Sequence, residues 1–256
     1  MKFFCFVLYF ILFAISLSAS DSISTDTDTM LISTTLTLKE KKGVNFNFII
    51  PAVFISYGAL AQTVKPFQQF DTYVDNEVHR HFKRRNFENY IVAIPAVTSY
   101  GLDLVGVKAK HNFRDRTFVV LTSHLLMSGT VRIIKLTTDV QRPSDLTGHS
   151  FPSGHTGSAF TGAHILFKEY RDVSPWIGIA GYAVATTVGT MRILNRKHWF
   201  SDTITGAGIG ILSAEVSYLL LPFFHRIIGE KETNTGLVIA PIVGNNRYGL
   251  GMVYVF

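Results

Sequence analysis

KLTTDVQRP (residues 135–143), FPSGH (151–155) and RILNRKHWFSD (192–202) are the three blocks on which the reading of this 256-residue chain turns. They hold Lys135 and Arg142, then Ser153, Gly154 and His155, then Arg192, His198 and Asp202. Apolar residues separate the blocks over lengths that suit helices. The blocks therefore fall at helix ends, placed to converge at one end of a bundle. Pro152 suits the start of a helix, where free backbone N–H groups attract an anion.

Working outward, apolar stretches run over 90–107, 117–134, 153–167, 174–193 and 203–228, with short polar links at 108–116 and 168–173. Most are rich in Ala, Gly, Ser and Thr, a composition that lets helices approach closely. Gly206, Gly208 and Gly210 follow no strand, so they are read as packing residues and not as a nucleotide loop. The stretch 48–61 is interrupted by Pro51 and is shorter than the roughly 20 residues of a comfortable span. It is expected to pack on the bundle or lie at an interface. Between 65 and 89 the chain turns polar and basic, with His79, Arg80, His81, Lys83, Arg84 and Arg85, which suits a solvated or headgroup-facing helix face.

After Gly229 the stretches 237–243 and 248–256 are β-prone, and Gly244-Asn245-Asn246 between them supplies turn residues. The fold class expected is all-α: a bundle of about six helices over 45–228, followed by a short C-terminal β-hairpin over 229–256. Residues 1–20 have a basic start, an apolar middle and a small-residue exit at Ser18, Ala19 and Ser20, the layout of a signal peptide or N-terminal anchor. Residues 21–44, rich in Ser, Thr, Asp and then Lys, read as an exposed lead-in. Cys5 is the only cysteine, so removal of that segment would leave a protein stabilised by packing without disulfides.

Composition narrows the class of function. Apolar residues make up 47% of the chain and charged residues 16%, against roughly 25% charged in soluble domains. With a net charge of +6 but no basic stripe interleaved with aromatics, the chain suits a membrane and not a nucleic acid.

Breaking a phosphate ester requires cations for the anionic oxygens, an in-line nucleophile and an acid for the leaving oxygen. Lys135, Arg142 and Arg192 supply the cations, and the Arg forks can each hold two oxygens. Gly154 lets the backbone approach phosphate, and the Ser153 hydroxyl adds a donor. His155 and His198 are the candidates for nucleophile and acid. His198 and Asp202, four apart, share a helical face, so the carboxylate can hold one imidazole nitrogen protonated and leave the other free to attack. His155, His198 and Asp202 can also be read as zinc ligands, but three cationic side chains already supply the charge a metal would bring. No metal or other cofactor is expected.

The three blocks resemble the signature of the type 2 phosphatidic acid phosphatase (PAP2) superfamily, which also includes bacterial class A acid phosphatases and vanadium haloperoxidases. The likeness covers residues 88–226. It implies that Lys135, Arg142 and Arg192 bind phosphate, that Ser153 and Gly154 stabilise the transition state, and that His155 protonates the leaving oxygen. His198 would form a phospho-histidine and Asp202 would orient it. The family usually has Ser before the third-block Arg; here Met191 stands there, and a hydroxyl that can contact phosphate is missing. The stretches 108–117, 174–183 and 206–215 further resemble exported Bacteroidetes phosphatases that include lipid A phosphatases, notably 4′-phosphatases.

If the bundle spans a membrane, Lys108, Lys110, Arg114 and Arg116 put the end opposite the site in the cytoplasm, and the site faces the periplasm. The function expected is an exported phosphatase of a lipid phosphomonoester, lipid A foremost at its 4′- or 1-phosphate. Undecaprenyl pyrophosphate, phosphatidylglycerophosphate, soluble phosphate esters or non-catalytic binding of phospholipid headgroups are the alternatives. The last is disfavoured because binding needs cations but not an acid and a nucleophile.

Overall fold

A computed structural model describes residues 46–82, 87–144, 148–228, 236–244 and 247–255. The expected N-terminal segment, the lead-in and the cations Lys83, Arg84 and Arg85 lie outside the described residues. Among the described residues there are eight helices: α1 Phe46–Ala61, α2 Lys65–His81, α3 Glu88–Ile91, α4 Ile94–Leu104, α5 Phe113–Thr138, α6 Gly154–Tyr170, α7 Pro175–Leu194 and α8 Phe200–Ile228. The strands β1 Gly236–Gly244 and β2 Arg247–Val255 pair antiparallel, from Gly236 opposite Val255 to Gly244 opposite Arg247. The chain divides into a unit ending at Leu219 and a second from Leu220 to Phe256; the account of the bundle concerns the first.

The protein is mostly helical, as the composition implied, but the helices outnumber the six expected. The polar 65–81 segment is itself a helix, and the apolar run 90–107 is broken. Pro95 lacks an N–H and is accommodated in the first turn of a new helix, so α3 ends at Ile91 and α4 begins at Ile94. Helix α5 starts earlier than its apolar core: the Asn112 side chain accepts from the Asp115 N–H at 2.8 Å, and Asp115 places a carboxylate on the positive end of the helix dipole.

Helix α6 is the centre of the bundle. Ala159, Ala163, Ile165, Leu166 and Tyr170 are all buried, because α6 packs on α4, α5 and α7 and also lies close to α8. The α6–α8 approach depends on Gly206 and Gly210, where a Cβ would run into the carbonyl oxygens of Ser153 and Gly157. Gly208, on the next face, brings α8 against Pro51 and Phe54 of α1. These glycines therefore serve helix packing.

The flanks of the bundle are apolar outward. Leu121, Leu125 and Ile133 of α5 and Trp176 and Ile179 of α7 are exposed. Three helices, α5, α7 and α8, are long and apolar enough to cross a membrane, and α1 and α2 reach that length only as a pair bent by 92°. By length and composition these helices fit a membrane protein.

The end of the bundle away from the three blocks is tied by buried polar groups. Glu169 of α6 accepts from the His111 N–H at 2.9 Å and from the Tyr218 hydroxyl at 2.6 Å. His164 meets Glu215 at 2.6 Å, and Lys168 donates to the same carboxylate at 2.8 Å. Arg116 corrects one expectation: it is fully buried, ion-paired with Asp103 and beside the Tyr170 hydroxyl. It is a structural cation within the bundle and does not belong among the loop charges that report on membrane side.

Candidate active site

The up-and-down course of α5 to α8 brings two C-termini and two N-termini to one end. Lys135 lies in the last turn of α5, Arg192 in the last turn of α7, Gly154 and His155 in the first turn of α6, and Asp202 in the first turn of α8. Arg142 is in the loop after α5, and His198 is in the loop between α7 and α8. The elements are tied together there: the Ser153 N–H donates to the Asp202 carbonyl at 3.0 Å. Lys135 is within electrostatic reach of Asp202, Arg142 and Arg192, and His155 within reach of Arg192 and His198. The cationic and titratable residues singled out from sequence thus gather in one place.

Asp202 organises the centre. Its Oδ2 accepts from the Ser150 hydroxyl at 2.5 Å and the Trp199 N–H at 2.9 Å, and lies 3.4 Å from His198 Nδ1. Facing a carboxylate, Nδ1 carries the proton, and Nε2 keeps its lone pair. Burial pushes the His198 imidazole below its ordinary range, partly offset by Asp202. The ring is therefore neutral near neutral pH, the form a nucleophile needs.

His155 is pushed down to about 4, first by burial and then by the positive charges of Arg192 and Lys197, with His198 adding to the shift when it is protonated. An acid must be protonated, and this shift opposes proton donation. A phosphate dianion among these cations reverses the electrostatic part of that shift.

Ser153 and Gly154 differ in what they offer. The buried Ser153 side chain is the N-cap of α6; it accepts from the Thr156 N–H and lies 2.9 Å from the Thr156 hydroxyl. Its oxygen is thus engaged in holding the helix start, and the expected donation to an anion has to share that proton. At Gly154 a Cβ would sit 3.6 Å from Val131, an ordinary contact. Protein packing does not require glycine there.

Sequence reasoning missed the groups that hold the His198 loop. Glu88, fully buried at the start of α3, receives Asn195 Nδ2 at 3.0 Å, Lys197 Nζ at 3.1 Å and Arg192 Nη1 at 3.4 Å on a single oxygen. Asp75 of α2 takes both arms of Arg196 at 2.7 and 2.6 Å. Asp71, one turn earlier, receives the Ser201 N–H at 3.0 Å. The only hint in the sequence was a carboxylate standing alone where a basic segment meets an apolar run. Asp139, His149 and Arg196 have positive φ, a conformation uncommon outside glycine. All three flank this site, where Arg196 is held by Asp75 and His149 by the Lys135 carbonyl, 2.9 Å from its Nδ1.

A cavity of about 560 Å³ opens beside these groups. Lys135, Gly154 and His155 form one part of its wall, and Val92, Met127, Val131 and Leu136 another; Arg132, His149 and two serines complete it.

The PAP2 superfamily pattern matches residues 116–226. A lipid A 1-phosphatase of Porphyromonas gingivalis is 42% identical over 131 residues, which are 48% of this chain and 29% of that protein. The chain thus matches under a third of the length of that curated relative. Among solved structures, LpxE of Aquifex aeolicus is similar with a TM-score of 0.45 and 20% identity, over 59% of this chain and 93% of the other. The transmembrane PAP2-type phosphatidylglycerolphosphate phosphatase of Bacillus subtilis is similar with a TM-score of 0.46 and 19% identity, over 70% and 97%.

Proposed function

We propose that this chain, a PAP2 superfamily protein by its residues 116–226, is a membrane phosphatase that hydrolyses a lipid phosphomonoester through a phospho-histidine. The observation that carries this reading is the shared cavity. Lys135 and His155 line the same space as Val92, Met127, Val131 and Leu136, so one ligand with a phosphate and an apolar body satisfies both walls.

In this mechanism Lys135, Arg142 and Arg192 hold the phosphate oxygens, joined by the first-turn N–H groups of α6. His198 Nε2 attacks phosphorus while Asp202 keeps the Nδ1 proton in place. As the P–O bond to the lipid breaks, His155 gives its proton to the departing oxygen. His155, now neutral, takes a proton from water, which attacks the phospho-histidine and releases inorganic phosphate with His198 restored. The atoms and charges balance without a metal.

Lipid A is the first substrate to test, because the relative at 42% identity is a lipid A 1-phosphatase; that favours the 1-phosphate over the 4′-phosphate. The site is assigned to the periplasmic side. Lys108, Lys110 and Arg114 remain at the opposite end once the buried Arg116 is set aside, and they follow the positive-inside tendency.

The test is mass spectrometry of lipid A and phospholipids from cells lacking the protein, beside cells carrying His198→Ala. One added phosphate on lipid A in both supports the proposal. Unchanged lipid A with accumulated undecaprenyl pyrophosphate or phosphatidylglycerophosphate keeps the chemistry and moves the substrate. Full phosphate release by purified His198→Ala would overturn the mechanism.

A further inference from the structure

The cavity contains a cation that the proposed mechanism leaves unused. Arg132 stands three residues before Lys135 on α5, so the two share a helix face about 4.5 Å apart along the axis. It is exposed, and it lines the same cavity as Lys135 and His155. Among the described residues no hydrogen bond or ion pair engages its guanidinium. Within this cavity an anionic ligand can pair with it.

The position of His155 identifies which part of a ligand Arg132 would meet. In the proposed reaction His155 faces the leaving oxygen, so the departing group extends into the cavity beyond the phosphoryl held beside Lys135. That cavity is apolar at Val92, Met127, Val131 and Leu136 but cationic at Arg132. The His149 ring is tied back on its other side, with Nδ1 2.9 Å from the Lys135 carbonyl, to which it donates.

Resting on that reading of the site, we propose that Arg132 is a specificity residue that binds a second phosphate carried by the departing lipid. The second phosphate is either the adjacent one of a lipid diphosphate or a separate one on the same headgroup. A guanidinium fork presents two parallel donors to either.

The experiment compares phosphate release by the full chain and its Arg132→Gln and Arg132→Lys variants in mixed micelles. Three lipids are used: one with a single phosphate, a lipid diphosphate, and a glycolipid with two separate phosphates. For Arg132→Gln, the fall in kcat/KM should be at least about tenfold greater on a two-phosphate lipid than on the single-phosphate lipid, carried mostly in KM. Arg132→Lys should restore part of it. The lipid on which the discrimination appears identifies the source of the second phosphate. Equal losses on all three lipids, as expected if Arg132 only snorkels to bilayer headgroups, would overturn the proposal, as would no loss on any. Absence of release from all three by the wild-type protein would instead overturn the phosphatase reading, and the role of Arg132 with it.

Discussion

Replacing Glu88 by Gln tests whether the His198 loop is held by charge balance. Glu88 is fully buried, with Lys197 at 3.1 Å and Arg192 at 3.4 Å from one oxygen. At an effective dielectric constant of about 20 each cation attracts the carboxylate by roughly 5 kcal/mol, or about 10 together before solvation is counted. Desolvation offsets much of that, and removing one member of a buried ion pair typically costs about 3–5 kcal/mol. Gln keeps the carbonyl acceptor for Asn195 and puts its amide where Oε2 now has no partner, so the lower end, about 3 kcal/mol, is expected. That corresponds to a fall of roughly 6–12 °C in the unfolding midpoint for a protein of this size.

The assay is thermal unfolding of the purified protein in detergent, with and without inorganic phosphate. Phosphate should raise the midpoint of the variant more than that of wild type, because the anion replaces the missing negative charge. Burial pushes the Glu88 carboxyl up, but its hydrogen bonds to its own backbone, Lys197 and Asn195 pull it further down, below its ordinary range. A depressed carboxylate stabilises the fold above the ordinary Glu range and loses that contribution as pH falls through its folded value. The gap between variant and wild type should therefore narrow on acidification. A midpoint within about 2 °C of wild type near neutral pH, or equal phosphate shifts in both, would refute the charge-balance reasoning.

Three further outcomes follow from the site. His155 is held down to about 4 in the free site, partly by Lys197, and bound phosphate favours its cationic form; the alkaline limb of kcat should lie at higher pH than that of kcat/KM. Lys197→Met removes a positive charge near His155 and should move the kcat/KM limb upward in pH profiles taken between about pH 4 and 9. Gly206→Ala puts a Cβ into the Ser153 carbonyl at the start of α6, whereas Gly129 has open space. An overpacked alanine costs about 1–3 kcal/mol and shifts His155 relative to Asp202. Gly206→Ala should therefore lower kcat well beyond the effect of Gly129→Ala, measured side by side with thermal midpoints.

The helical class, a composition suited to a membrane and the eight candidate residues of the three blocks were legible in the sequence by itself. These are local matters. A run of apolar residues is a helix or a span by composition alone. A Pro-Ser-Gly-His segment marks a helix start, and His198 and Asp202 share a face because they are four apart. The tertiary structure decided what surrounds them. Glu88 meets Arg192 from 104 positions away, Asp75 meets Arg196 from 121, and Asp71 meets Ser201 from 130. No periodicity links residues so far apart, and a lone carboxylate reads the same whether it is solvated or buried against cations. Likewise Arg116 looked like a loop charge until Asp103 and Tyr170 were found around it, and Arg132 acquired a meaning once α5, α6 and Val92 enclosed a cavity. Close packing of helices sets which side chains share a dielectric environment, and that environment fixes their charge and what they can bind.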